Sequence, residues 1–277
     1  MTFEPGELRQ SKADLQEALR ALRRRAGRTQ AWLAQRCNMS QTKLSNIETG
    51  RVTPSLVDVE LILGALDTPA NLAAEVSGLA RLAHTEWQSK RTSWRRGLEK
   101  RQCELAALEA EAVTLRYFLP AMVTGLLATP EYVRASLGHS PVDISKTVAK
   151  KLERQAVLHD DKKQFTFLLT EQAVRWAVVP RSAMATQIDQ LAALSHLPNV
   201  RMGVRPLGTA LERGPMNTFT VYDQRLATVE TFTGRIVFQD ARDVAEHLAV
   251  FDRYQRHASF GEEARDLLSS WAGQYRS

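Results

Sequence analysis

Residues 29–50, TQAWLAQRCNMSQTKLSNIETG, constrain this chain more than any other stretch. Thr29 and Ser40 each stand in front of a short run with apolar residues at helical spacing. A hydroxyl at such a place accepts a hydrogen bond from one of the first free N–H groups of a helix. Leu33 and Cys37 fall on one side of the first run, Leu44 and Ile47 on one side of the second. Between them the chain must turn through a left-handed residue, which glycine adopts most readily and asparagine tolerates; Asn38 stands there. Met39 reads as an apolar plug, and Gly50 ends the unit. The expectation is two short helices, 30–37 and 41–48, joined by a tight turn.

Two helices joined in this way form a helix-turn-helix, whose second helix enters the major groove of DNA. The outward face of that second helix carries Gln41, Thr42, Lys43, Ser45 and Asn46. Gln and Asn side chains can bond an adenine edge at two points, and a Thr methyl can touch a thymine methyl. Lys43 and Arg51 are placed to meet phosphates. No carboxylate stands at the reading positions. The competing reading, a helical hairpin with a polar surface, leaves the coincidence of caps, turn, plug and readout residues unexplained.

The flanking sequence supports a helical N-terminal region. Leu15, Ala18, Leu19, Leu22 and Ala26 recur at three and four residues between 12 and 26, with Arg20, Arg23, Arg24 and Arg25 expected to face mostly outward. Four Thr/Ser-Pro pairs, at 53–54, 68–69, 129–130 and 140–141, each suggest a hydroxyl cap with proline at the first helical position. A fourth helix is expected over 54–66. The helical reading continues from about 70 to 119, where Trp94, Leu98, Leu105, Leu108, Ala112 and Leu115 form a roughly heptad seam interrupted by Arg101. That seam suits either a coiled-coil dimer or packing within its own domain. After His159 the pattern changes. Segments 164–170, 200–207, 218–222 and 227–232 are short, β-branched or aromatic, and predict strands. Helices are expected at 171–178, 182–197, 241–256 and 262–274. Strands mixed with helices in this order point to an α+β or α/β domain.

The whole chain has 277 residues and a net charge of +6, which fits one large domain or two smaller ones and raises the idea of a polyanionic partner. The first 100 residues hold 16 Lys/Arg against 11 Asp/Glu, and the remaining 177 hold 21 against 20, so the excess lies at the N-terminal side. Cys37 and Cys103 form neither a CxxC pair nor a His-flanked cluster, which argues against structural zinc and suits a reducing cytoplasm. Residues 1–10 carry Glu4 and Glu7 and no apolar core, unlike a secretory signal. No apolar run approaches the ~18 residues of a membrane helix. The expectation is a soluble cytoplasmic protein, associated with the nucleoid, with no membrane partner and no cofactor or metal.

With those residues in view, the TQ-x-x-LA…SQ-x-x-LS-x-IE-x-G pattern resembles the lambda-repressor-like (XRE) helix-turn-helix family over about residues 12–70. The family often has Ala-Gly-Val at the turn, where this chain has Cys37-Asn38-Met39. The resemblance implies a five-helix fold in which Gln30, opening the second helix, joins Gln41, Thr42, Lys43, Ser45 and Asn46 at the DNA. Further along, VTGLLATPEYVRA (123–135), LERQAVL (152–158), FLLTE (167–171) and VRPL (204–207) together resemble the antitoxin-like C-terminal domain of actinobacterial regulators of the WhiJ kind. That family usually reads Pro-Gly-Leu-Leu-Gln-Thr; Thr124 replaces the Pro here and Ala128 the Gln. This second resemblance implies a small partner protein encoded nearby and control of development or specialised metabolism. Its polar residues Arg154, Gln155 and Glu171 are candidates for a partner or effector surface, or for a network joining a helix to the sheet.

The expected fold class is thus an all-α helix-turn-helix domain (1–72), a long helical linker or dimerisation segment (73–118) and an α+β regulatory domain (119–277). No nucleophile elbow, zinc-binding helix, phosphate loop or dinucleotide fingerprint occurs. The six histidines, His84, His139, His159, His196, His247 and His257, are scattered. The sequence therefore reads as a DNA-binding regulator, expected to act as a repressor, and not as an enzyme. Its C-terminal domain would bind a small protein or, alternatively, a small-molecule effector; an enzyme fused to a DNA-binding domain is the third reading. One recognition helix reads few bases, so a homodimer on a short inverted repeat is expected, with its two recognition helices ~34 Å apart.

Overall fold

Alternation with a period of two sets the architecture of the larger unit. In Thr114–Leu119 and Gln164–Thr170, every second side chain (Leu115, Tyr117, Leu119; Phe165, Phe167, Leu169) enters one core, while Phe118 and Leu168 are buried on the opposite face. Such strands are covered on both sides, as parallel strands generally are. The computed structural model describes residues 7–83, 85–89, 98–138, 143–208 and 214–276, and the side chains of these apart from 7–13, 86–89 and 98–101. The chain divides into two units, residues 1–87 with 236–240, and 88–235 with 241–277.

The first unit is built on helices α1 (Glu7–Arg25), α2 (Gln30–Arg36), α3 (Gln41–Glu48), α4 (Leu56–Ala65) and α5 (Ala70–Ala83), followed by a short strand β1 (Thr85–Ser89). Helix α1 packs on α5 and α3, and α4 packs on α5. Leu15, Leu19, Leu33, Leu44, Ile47, Val59, Ile62 and Ala80 fill a common core. The five expected helices are present, with one shift. The fourth begins at Leu56 rather than at Pro54, because Ser55 forms a capping box with Asp58: each backbone N–H is accepted by the other's side chain, both at 3.1 Å.

The second unit begins with α6 (Leu98–Glu111) and β2 (Thr114–Leu119). Helices α7 (Pro130–Ser136) and α8 (Ser145–Arg154), with a 3₁₀ turn at Gln155–His159, lead to β3 (Gln164–Thr170). Helices α9 (Glu171–Arg175) and α10 (Arg181–Leu194) lead to β4 (Val200–Arg205). Strands β5 (Phe219–Tyr222) and β6 (Leu226–Glu230) follow, then, after β7 (Gly234–Phe238), whose residues 236–238 fall in the first unit, α11 (Ala241–Gln255) and α12 (Gly261–Arg276). Within this unit the strand order is β6-β5-β2-β3-β4. Strands β2, β3 and β4 are mutually parallel, β5 runs against β2, and β6 runs against β5. Helix α12 packs on α10 and β4, with Leu268 and Trp271 in the core beside Tyr117 and Phe167, whose rings stack at 4.9 Å. Helix α11 lies against β5 and β6, where Tyr254 meets Phe118 at 4.6 Å.

Helices followed by a mixed sheet with helices make this an all-α helix-turn-helix region plus an α+β domain. The expected long helix from 70 to 119 is corrected. Helix α5 ends at Ala83, β1 follows, and Thr114–Leu119 is the central strand of the five just ordered. Its TLRYFL sequence has strand character, and pairing of six residues with β3, four of them also with β5, outweighs the continuation of a helical stripe. Leu115 accordingly lies in the sheet's core, not on a heptad seam. Trp94 and the side chains of Leu98 and Arg101 lie outside the described residues, as do His84, His139 and the 140–141 pair. Thr129-Pro130 does start a helix: Thr129 accepts from Tyr132 N at 3.3 Å, with Pro130 in the first turn.

Lys163 closes the C-terminal end of α6. Its buried ammonium donates to the carbonyls of Ala110 and Ala112, both at 2.7 Å, where the last turn of a helix has unsatisfied oxygens and partial negative charge. Replacing Lys163 by Met should cost roughly 1.5–3 kcal/mol, the scale of charge-assisted bonds whose acceptors stay buried. Urea unfolding midpoints of wild type and K163M check this; equal midpoints would refute the role.

Candidate nucleic-acid interface

The turn between α2 and α3 has the expected local chemistry. Thr29 caps α2 by accepting from Trp32 N, and Ser40 caps α3 by accepting from Lys43 N, both at 3.1 Å. Asn38 is left-handed, at φ 52°. Cys37 is buried and Met39 packs half-buried against the same core. Gly50 is also left-handed, at φ 77°, a backbone conformation that a side chain would strain.

Helix α3 is held by a buried carboxylate. Glu48 shares the inner stripe with Leu44 and Ile47. Arg23 of α1 donates to both of its oxygens, from Nε at 2.5 Å and Nη2 at 2.8 Å, and Gln30 Nε2 donates at 2.7 Å. Burial alone would raise the Glu48 carboxyl, but the bonds from Arg23 and Gln30 and the Arg23 charge outweigh it and hold the group below its usual range. The bond to Glu48 in turn raises the Arg23 guanidinium. Arg23 Nη1 also donates to Arg28 O at 2.8 Å, tying the end of α1 to the approach of α2. Arg23, expected among the outward arginines, is therefore turned inward. Arg28 itself lies over the Trp32 ring, 4.3 Å from its centre.

The candidate reading residues emerge from this frame. Gln41, Thr42 and Lys43 are exposed, and Ser45 and Asn46 are half-exposed on the same helix. Arg51 is exposed just beyond α3. Gln30 is fixed by Glu48: a carboxylate only accepts, so it faces the amide nitrogen, leaving the amide oxygen and one N–H for another partner. Lys43 has a neighbour the sequence reading did not assign. Its Nζ donates to Asp58 Oδ1 at 2.7 Å, and Asp58 is also the capping-box residue of α4. Burial would raise the Asp58 carboxyl, but bonds from Lys43 and Ser55 lower it overall. The missed residues are thus Glu48, Arg23 and Asp58. Glu48 carried a readable signal, because a carboxylate at the third and fourth steps of an apolar stripe needs a cation.

In the second unit the three candidate polar residues do separate work. Arg154 of α8 is largely buried; its Nε donates to Glu109 Oε2 at 3.0 Å, and its remaining nitrogens bond Glu109 Oε1 and Gln102 Oε1. Burial would lower the guanidinium, but Glu109 holds it above its ordinary value. Burial first, and Glu109 second, push the Tyr117 phenol well up; it stays protonated and donates to Glu109 at 3.2 Å. Gln155 donates to the carbonyls of Gly125 and Ala128, at 2.8 and 2.7 Å, holding the loop that precedes α7. Glu171 pairs with Arg175 and accepts from Leu207 N at 2.8 Å. Arg154 and Gln155 are thus engaged inward, and no hydrogen bond described joins the three.

Comparison with known proteins places both units. Residues 102–270 match a family model described as a domain of unknown function, DUF5753. Residues 14–76 match a family model described as a helix-turn-helix domain. No curated protein matches. Among solved structures, the chain resembles TrmBL2, an archaeal chromatin protein whose structure shows a novel mode of DNA binding, at 13% identity and a TM-score of 0.31. The match covers 59% of this chain and 49% of that one, so the chain spans about half the length of TrmBL2. Among the described residues no helix is long and apolar enough to cross a membrane, and no group of three or more His, Cys, Asp or Glu could hold a metal.

The Glu48 pair has a pH signature. A carboxyl whose folded value is lowered stabilises above its unfolded value, about 4.3, and that contribution is lost as pH falls through the folded value. Glu48→Gln should therefore destabilise by about 3–5 kcal/mol at pH 7, where Arg23 is left buried without its counter-charge. The gap to wild type should shrink steadily below pH 4. Denaturant titrations at pH 7 and pH 3 test this; an equal gap at both would show that the carboxylate's charge is not what stabilises.

Proposed function

We propose, for a chain that belongs to the DUF5753 family and carries a helix-turn-helix domain, the role of a sequence-specific, DNA-binding transcriptional regulator. The observation that carries this reading is the polar face of α3. Gln41, Thr42, Ser45 and Asn46 project from a helix whose opposite side is locked by Leu44, Ile47 and the Arg23–Glu48–Gln30 bonds. A reading helix needs that rigidity, since a base edge is recognised by two hydrogen bonds of fixed direction. In this reading the protein is lambda-repressor-like, binds a short inverted repeat as a homodimer in the cytoplasm, acts as a repressor, and has no catalytic role.

The resemblance of the C-terminal domain to WhiJ-type regulators supports a further part of the proposal. The DUF5753 domain receives a small partner protein encoded nearby, as an antitoxin-like module would, in control of development or specialised metabolism. Arg154 and Gln155 contribute by holding α8 and the loop before α7, since their polar atoms are engaged within the domain.

Two sets of variants test the DNA-binding reading in the full chain. Gln41→Ala and Asn46→Ala should each weaken the specific site by roughly 1–3 kcal/mol and relax preference at one base pair. Footprinting that finds both affinities unchanged would remove them from the reading face. Arg51→Ala and Lys43→Ala should instead weaken all sequences alike, each lowering the slope of log affinity against log salt by about one unit. Asp58 competes with phosphate for Lys43, so Asp58→Asn should strengthen non-specific binding. A loss confined to the specific sequence in K43A would refute its phosphate role.

A further inference from the structure

Among the described residues of the second unit, the exposed large apolar side chains are not scattered. Strands β2, β3 and β4 are parallel and end together at Leu119, Thr170 and Arg205. Strand β5 runs against β2 and begins at that same end, with Phe219 opposite Phe118. Strand β6 runs against β5 and finishes there, with Val229 opposite Phe219 and Glu230 N bonded to Thr218 O. Each of the five strands carries one exposed large apolar residue at this end. In sheet order they are Phe232 after β6, Met216 before β5, Met122 after β2, Trp176 after the short helix that leaves β3, and Leu207 after β4. Among the described residues of the unit, Val113, before β2, is the other exposed large apolar residue, and it lies at the opposite end.

The row is large, and three of its five strand exits are bonded to one another. Phe232 is 98% exposed, Met216 73%, Leu207 63%, Trp176 57% and Met122 39%. With side-chain areas of roughly 150–250 Å², that leaves on the order of 600 Å² of apolar surface. This is at the top of what monomers display and close to the ~800 Å² that each side of a standard interface contributes. Thr170 Oγ1 donates to Pro120 O at 2.7 Å, and Leu207 N donates to Glu171 at 2.8 Å, so the exits of β2, β3 and β4 are bonded to one another. Adjacent strands are ~4.8 Å apart, so the five strand ends span about 19 Å.

We propose that this end of the sheet is the interface through which the C-terminal unit binds a second copy of the chain. The row is self-complementary. Met122 stands at the middle strand, and a two-fold axis through it reverses the order in the partner copy. Met122 then meets Met122, Met216 meets Trp176, and Phe232 meets Leu207. Each contact is apolar, and the middle one of the three sets a thioether against an aromatic ring, a favourable pairing. A two-fold interface requires this reciprocity, residue i on j and j on i. Two such faces would bury on the order of 1,200 Å² together, the lower bound of a specific interface. The inference rests on the homodimer reading above and gives it a surface.

The test uses the full chain carrying Cys103→Ser, which removes the exposed thiol and leaves the buried Cys37. Sedimentation of this background should give a dimer. Trp176→Glu combined with Phe232→Glu should give a monomer with unchanged circular dichroism, both residues being exposed. With a short bis-maleimide, Met122→Cys should cross-link to itself. Met216→Cys should cross-link to Trp176→Cys in a mixture of tagged copies but not to itself, and Val113→Cys should not cross-link. A background dimer that survives the double Glu substitution, or that cross-links through Val113→Cys and not Met122→Cys, overturns this surface while leaving the dimer reading intact. A monomeric background overturns both. A monomer that forms a complex with a co-purified protein, lost in the double Glu variant, assigns the row to a foreign partner and overturns the proposal.

Discussion

The helix-turn-helix unit depends on a single buried carboxylate. Glu48 lies at the end of α3, on the stripe that faces the core, and a charge there is tolerated only when its oxygens are satisfied. Three donors do this: two nitrogens of Arg23 from α1 and one of Gln30 from α2. The same guanidinium reaches the carbonyl of Arg28. One side chain of α3 therefore fixes the end of α1, the start of α2 and its own helix in a single arrangement. The polar face proposed to read DNA is the other side of that helix, and its direction follows from bonds within the unit.

The second unit uses the same device on different elements. Arg154 and Glu109 join α8 to α6, with Gln102 and Tyr117 saturating the pair, and Lys163 closes the end of α6. Buried pairs of this kind are weak sources of net stability but strong sources of penalty when one partner is removed. They make one packing of helices on the sheet much better than its neighbours. Gln155, Gln187 and Asn199 do similar work on loops by occupying carbonyls and N–H groups that no strand or helix uses.

The readable parts of the sequence were those governed by neighbours in the chain. Thr29, Ser40 and Thr129 cap because a hydroxyl reaches an N–H three residues on. Asn38 turns left-handed because its own backbone must. Strands 164–170 and 200–205 alternate or run apolar over their own length. Thr114–Leu119 was misread as helix because Ala112 and Leu115 prolong the stripe of α6, and six residues carry too little pattern to overrule it. Pairing with β3 and β5 on both sides decided the matter. Arg23 was misassigned for a related reason. It sits in a run of arginines with no local mark distinguishing the one that meets Glu48, 25 residues away.

By itself the sequence determined the helix-turn-helix, its polar reading face and the change from helices to a mixed sheet. Each follows from hydrogen bonds and side-chain periods that span a few residues. Only the tertiary structure decided which charges are paired and which surfaces stay open. Lys43 meets Asp58, and Arg154 turns inward to Glu109. Met122, Trp176, Leu207, Met216 and Phe232 come into one row from places as far as 110 residues apart in the chain. These are consequences of strand order and direction, and no local spacing encodes them.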